Sequence, residues 1–139
     1  MSEYPNAPIL AVGGVVIQNH RILLVKRGQE PSKNLWTIPG GKVELGEGLR
    51  PAVVREMREE TGLQVRIGEL ITHYEFIEAD EQDRIRFHYV IMDFQVFIAF
   101  GRLCPGGDVF EAALFSLQDI DEALMPHKTA ELARSMLQK

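Results

Sequence analysis

The chain has 139 residues, 45% of them hydrophobic and 25% charged, with a formal net charge of −5. A chain of this size can bury about 68–70% of its unfolded surface, so a single domain spanning residues 1–139 is expected. The acidic balance and the lack of any long Lys/Arg cluster argue against polymeric nucleic acid as a partner, because such binding rests on phosphate neutralisation by basic side chains.

Cys104 is the only cysteine, which excludes an intrachain disulfide and a four-cysteine zinc site and fits a reducing cytoplasm. Residues 1–8 lack a basic region followed by an apolar core. The most apolar later run, Tyr89 to Phe100, is interrupted by Asp93 and Gln95. Neither a signal peptide nor a membrane span is expected.

In chain order, Ile9 to Ile17 and Ile22 to Val25 read as paired strands around the polar turn Gln18 to Arg21. Lys33 to Gly41, with Pro39 and the Gly40-Gly41 pair, reads as a structured loop. Gly48 to Thr61 reads as a helix: Pro51 is tolerable in its first turn, Ala52, Val53, Val54 and Met57 supply apolar contacts, and Gly62 is placed to end it. Val65 to Ile77 and Arg84 to Phe97 then form an antiparallel pair about the acidic turn Glu78 to Asp83. After Pro105-Gly106-Gly107-Asp108 come a strand, Val109 to Phe115, a brief helical segment capped by Ser116 and stopping near Pro126, and a terminal helix, Lys128 to Leu137. Strands joined by hairpins and separated by helices imply an α/β fold, a mixed β-sheet covered by helices.

The helix at 48–61 carries the chemistry. At about 100° per residue, Glu59 and Glu60 flank Glu56 at about −60° and +40°, so three carboxylates share one arc. That arc borders the side formed by Val54, Met57 and Thr61, which can pack on a sheet. Glu56 and Glu60 are like charges at i and i+4, and Glu59 and Glu60 lie near the helix's negative carboxyl end; each such contact costs a few tenths to about 1 kcal/mol. Arg55 can relieve only Glu59, its i+4 neighbour. Hard oxygen ligands with so little positive charge nearby are what Mg²⁺ or Mn²⁺ neutralises.

The spacing around the helix is specific. From Gly41, five residues intervene before Glu47, and seven more before Arg55-Glu56; Glu59-Glu60, Thr61, Gly62 and Leu63 follow. This resembles the Nudix box at every fixed position over residues 41–63, and Trp36-Thr37-Ile38-Pro39-Gly40 resembles its lead-in. The resemblance implies a Nudix α/β/α sandwich, one Nudix domain over 1–139, and metal-dependent hydrolysis of a diphosphate linkage in a nucleotide derivative. It implies Glu56, Glu59 and Glu60 as metal ligands, the Gly40 carbonyl as a further one, and Glu47 as an assisting carboxylate often acting through water. Arg55 would orient a glutamate by a charge-assisted pair.

The same resemblance leaves the proton acceptor open between Glu56, Glu59 and a carboxylate from a later loop. Glu111 is the first candidate there, ahead of Asp80 and Glu81 in the acidic turn. Leu114 stands where the family often has an aromatic residue. Arg27 is placed like a family residue that reaches a phosphate, and Trp36, Phe87 or Tyr89 could stack on a base. The four histidines show no ligand spacing. The segment His88 to Phe94 and the Gly-Gly-Asp turn resemble small bacterial members acting on ADP-ribose, so a small nucleotide of that kind is the expected partner. Two alternatives remain at this level, a nucleoside triphosphate pyrophosphohydrolase that cleans the nucleotide pool and a non-catalytic nucleotide-sensing module; a homodimer is left open.

Overall fold

The structure is a computed structural model that describes residues 3–139. Its elements are β1 (Ile9–Val15), β2 (Ile17–Gln18), β3 (Arg21–Arg27), β4 (Trp36–Thr37), β5 (Gly40–Lys42), α1 (Leu49–Thr61), β6 (Leu63–Ala79), β7 (Ile85–Gly101), β8 (Val109–Phe115) and α2 (His127–Leu137). They form two sheets. The first is mixed, in the order β5-β1-β7-β6, with β1 parallel to β7 and its other neighbours antiparallel. In the second, β3 pairs with β8 along its length and with β2 and β4 at its two ends, all antiparallel.

Alternation along the strands divides the apolar residues between two helices. Val12, Leu23, Phe94 and Val96 turn toward Ala52, Val53 and Met57 of α1. Val15, Ile22, Leu24 and Phe115 turn the other way and meet Ala130 and Ala133 of α2. Met57 is fully buried, and a side chain of this kind contributes on the order of 1.5–3 kcal/mol. It lies so close to β1 that a Cβ on Gly14 would come within 2.6 Å of its sulfur. α1 ends where expected, with Gly62 at φ 75° donating its N–H to the Arg58 carbonyl.

Two expectations are revised. The segment read as a loop at 33–41 contains β4 and part of β5, because its backbone finds partners on β3 and β1 on either side of Pro39. The helical segment expected after Ser116 is a single 3₁₀ turn, Leu117–Asp119. Asp119 bonds back to the Ser116 N–H and hydroxyl, and the chain then leaves the helical path so that Ile120 and Met125 can enter the α2 core.

Candidate active site

The glutamates of α1 lie at the margin of its packed face, as the helical spacing anticipated. Glu60 is only 8% exposed and Glu56 is also buried, whereas Glu59 is partly open to solvent. Glu60 Oε1 accepts the Gly40 N–H at 3.0 Å, which ties the last turn of α1 to β5. Gly41 is obligatory here for a steric reason: a Cβ would stand 2.6 Å from the Glu56 carboxyl carbon and one of its oxygens. Gly40 is equally constrained, since its Cβ would strike the Val12 carbonyl.

Arg55 is the hub of this cluster. Its Nε and Nη2 grip the two oxygens of Glu47 at 2.8 Å each, its Nη1 donates to Glu56 at 2.8 Å and Glu59 at 3.3 Å, and Nη2 also donates to the Lys42 carbonyl. The i+4 relation found Glu59 but not Glu47, the closer and bidentate partner, because Glu47 reaches Arg55 from the preceding loop. Hydrogen bonds from Arg55, followed by one from the Glu44 N–H, hold Glu47 down to about 2.

Positive charge does not offset the remaining carboxylates. Burial raises Glu56 above the ordinary range despite Arg55. Burial likewise pushes Glu60 up to about 7; the Gly40 N–H and Arg27 lower it, while Glu56 and Asp108 raise it. These groups are desolvated, acidic and undercompensated.

Among the described residues, no three His, Cys, Asp or Glu side chains already converge on a point that could hold a metal ion. Each carboxylate instead takes the nearest N–H: Glu60 that of Gly40, Glu56 and Glu59 the shared guanidinium of Arg55. The donor chemistry nevertheless fits a hard divalent cation, because buried oxygen ligands with raised proton affinity are those a cation relieves.

The positions outside the helix divide. Arg27, half-buried, donates its Nε to the Pro31 carbonyl and lies near enough to Glu60 to lower its proton affinity. Glu111 is not brought to the glutamates. It pairs in register with Lys26 and lies 3.6 Å from its ammonium, continuing the Ile22, Leu24 and Ala113 face that looks toward α2. Trp36 also joins that side, its ring 4.9 Å from Phe115. Asp80 closes the β6–β7 hairpin through Arg84 and Tyr4, Glu81 lies in the same exposed turn, and Phe87 is closed off in the core.

Asp108 is the carboxylate that the sequence reading passed over. The loop at 104–108 wraps the end of α1, with the Cys104 N–H donating to the Thr61 backbone carbonyl and the Gly106 N–H to the Glu60 backbone carbonyl. Gln29 donates to the Asp108 carboxylate at 3.2 Å, and Gly28 N–H to its carbonyl at 2.8 Å. The Asp108 charge raises the proton affinity of Glu60, whereas Glu111, three residues on, is paired with Lys26. Only the proximity of the loop to the helix end reveals this; the sequence carries no comparable signal.

The loop-helix-loop with its glutamates, guanidinium hub and glycines that admit no Cβ is a Nudix box in three dimensions. The NUDIX domain family profile matches residues 7–139, and the chain belongs to the Nudix family of pyrophosphohydrolases. It is 36% identical over 121 residues to an ADP-ribose pyrophosphatase of Methanocaldococcus jannaschii, covering 87% of this chain and 69% of that one. It is 38% identical over 68 residues to the CTP pyrophosphohydrolase of Escherichia coli, which spans 48% of this chain and 50% of the relative. The crystal structure of a MutT NUDIX hydrolase from Burkholderia pseudomallei superposes with a TM-score of 0.78 at 26% identity, covering 94% of this chain and 98% of that chain. No helix here is long and apolar enough to cross a membrane among the described residues.

Proposed function

We propose that this protein hydrolyses the diphosphate linkage of ADP-ribose or a closely related nucleoside diphosphate sugar, using Mg²⁺ or Mn²⁺ held by Glu56, Glu59, Glu60 and the Gly40 carbonyl. The observation that carries the reading is the pair of buried, undercompensated carboxylates, Glu56 and Glu60, beside Gly40. Bound there, a divalent ion would neutralise the diphosphate and lower the pKa of the attacking water. Arg55 holds Glu56 and Glu59 in place and is itself fixed by Glu47. Arg27 faces the substrate's phosphates. Glu56 or Glu59 takes the proton from water, and Asp108 is better placed than Glu111 to assist from outside the helix. Attack on either phosphorus releases AMP and ribose phosphate.

The choice of ADP-ribose is supported by the similarity to the archaeal ADP-ribose pyrophosphatase over most of the chain. The resemblance to the CTP pyrophosphohydrolase, confined to about half of each protein, favours the second reading, cleavage of a nucleoside triphosphate to a monophosphate and pyrophosphate. A comparison of kcat/KM for ADP-ribose, other diphosphate sugars, and normal and oxidised triphosphates at equal Mg²⁺ decides between them. A preference for a triphosphate of tenfold or more, about 1.4 kcal/mol in the transition state, replaces the first reading with the second. No turnover of any of them in Mg²⁺ or Mn²⁺ would favour a nucleotide-sensing module.

A further inference from the structure

β6 is the outermost strand of the mixed sheet, and its free side meets no other strand among the described residues. At 17 residues it is much longer than the other edges, since β5 has three and β8 seven. The open N–H and C=O groups of an edge strand are a template for pairing with another chain, and proteins blunt such edges with short strands, lysine, proline or bulges. The bulges of β6 fall between Gln64 and Val65, between Ile67 and Leu70, between Leu70 and Thr72, and between Glu78 and Ala79. From Thr72 to Glu78 the strand pairs with Asp93 to Phe87 without a break, and this stretch holds neither lysine nor proline.

Register fixes the face that each residue takes. Leu70, His73, Glu75 and Ile77 stand opposite Phe94, Met92, Val90 and His88 of β7. Alternate residues of β7 share one face, and it is the face on which Phe94 and Met92 pack toward α1. α1 does not extend over these four β6 side chains. All are exposed, Leu70 to 41% and Ile77 to 53%. Their order along the edge is apolar, imidazole, carboxylate, apolar.

We propose that the free edge of β6 is a homodimer interface, at which a second copy of this chain pairs antiparallel over Leu70 to Ile77 and joins two four-stranded sheets into one. The row of side chains is complementary to its own reversed copy. With the two-fold axis at Tyr74, His73 meets the partner's Glu75 and Glu75 meets the partner's His73. Leu70 and Ile77 meet at each end, the bulge beside Ile71 taking up the odd residue. Each contact is made twice, as two-fold symmetry requires, and opposite-charge and apolar cross-strand pairs are those that stabilise a sheet. Neighbouring registers lose the match: an axis at Glu75 sets two carboxylates against each other, and one at Phe76 sets Glu75 against Ile77. An arbitrary extended peptide satisfies the backbone of the edge but not this ordered row.

Sedimentation equilibrium of the full chain over a wide range of concentration is expected to show a monomer–dimer equilibrium. His73→Glu sets carboxylates against each other at both symmetric positions and should raise the dimer dissociation constant at least about tenfold. Adding Glu75→Lys to it restores opposite charges and should recover most of the loss. Amide hydrogen exchange of the wild type reads the same surface with no substitution: amides between residues 72 and 77 should slow as protein concentration rises, while those of β8, the other long free edge, stay unchanged. A monomer at every concentration, a dimer whose dissociation constant His73→Glu leaves unmoved, a double variant as weak as the single one, or slowing at β8 in place of β6 each overturns the proposal. If His73→Glu does not fold, the wild-type exchange pattern decides.

Discussion

Glu60 shows how one side chain can be both a liability and the centre of a site. It is held by the Gly40 N–H, desolvated, and close to Glu56 and Asp108. Glu60→Gln keeps the shape and the hydrogen bond but removes the charge, so turnover in Mg²⁺ should nearly vanish while the metal-free protein melts no lower than wild type; full turnover would sink the metal-cluster reading. Arg55 contacts carboxylates on both the helix and the preceding loop. Arg55→Ala should lower kcat by about 10–100-fold, the range seen when the partner that orients a ligand is lost, with a smaller change in KM. Kinetics with only a raised KM would place Arg55 against the substrate. Between the two outer carboxylates, Asp108→Asn should reduce kcat more than Glu111→Gln, whose partner is Lys26; the opposite order would return Glu111 to the site.

At the scale of elements, the site depends on how closely α1 approaches the segment from β4 to β5. Gly41 leaves room for the Glu56 carboxyl, and an added methyl would come within 2.6 Å of it. Gly41→Ala should therefore displace Glu56 and depress kcat in Mg²⁺ while α1, anchored by Ala52, Val53 and Met57, keeps its helical circular dichroism. Unaltered kinetics would mean that Glu56 does not need its present position. The contrast with Gly46 is instructive, because no atom lies within 4 Å of a Cβ there and the demand is its φ of 84° alone. Alanine at 46 strains the loop backbone without touching a carboxylate, so it should affect stability before catalysis.

For the whole molecule, opposing groups of acids shape stability against pH. Glu47 and Asp80 are each held down to about 2 by hydrogen bonds in the folded state, so the stability they confer is present above their ordinary values and is lost as pH falls toward 2. Asp93 and Glu60 are each pushed up to about 7 from 3.8 and 4.5. The folded state binds more protons than the unfolded chain across that window, so these two make stability fall as pH rises through it and level off above about 7. The melting temperature in chelator should therefore be highest near the acid edge of the window and decline toward neutrality. Asp93→Asn should flatten the decline, and Mg²⁺ should offset the part due to Glu60. An equally steep decline in Asp93→Asn would show that Asp93 titrates normally.

The sequence by itself determined the elements and the chemical nucleus. Alternating and helical periods, the Gly48 to Gly62 limits of α1 and the spacing from Gly41 to Leu63 are local properties, set by backbone geometry over a few residues. They located Glu56, Glu59, Glu60 and Arg55 on one helix and named the family. The short strands β4 and β5 were not legible, because a two- or three-residue strand exists only through its partners on β3 and β1. Nor was the division of the outer residues. Asp108 and Glu111 are close in sequence, yet the loop around the end of α1 carries the first to Glu60 while strand register turns the second toward Lys26. Asp93 read as a polar interruption in an apolar strand, and only the packing of β7 against Gly13 under the 37–39 turn revealed a buried carboxyl without a partner. Proximity between distant segments is created when the sheets and helices pack, so the tertiary structure alone decided which acids meet.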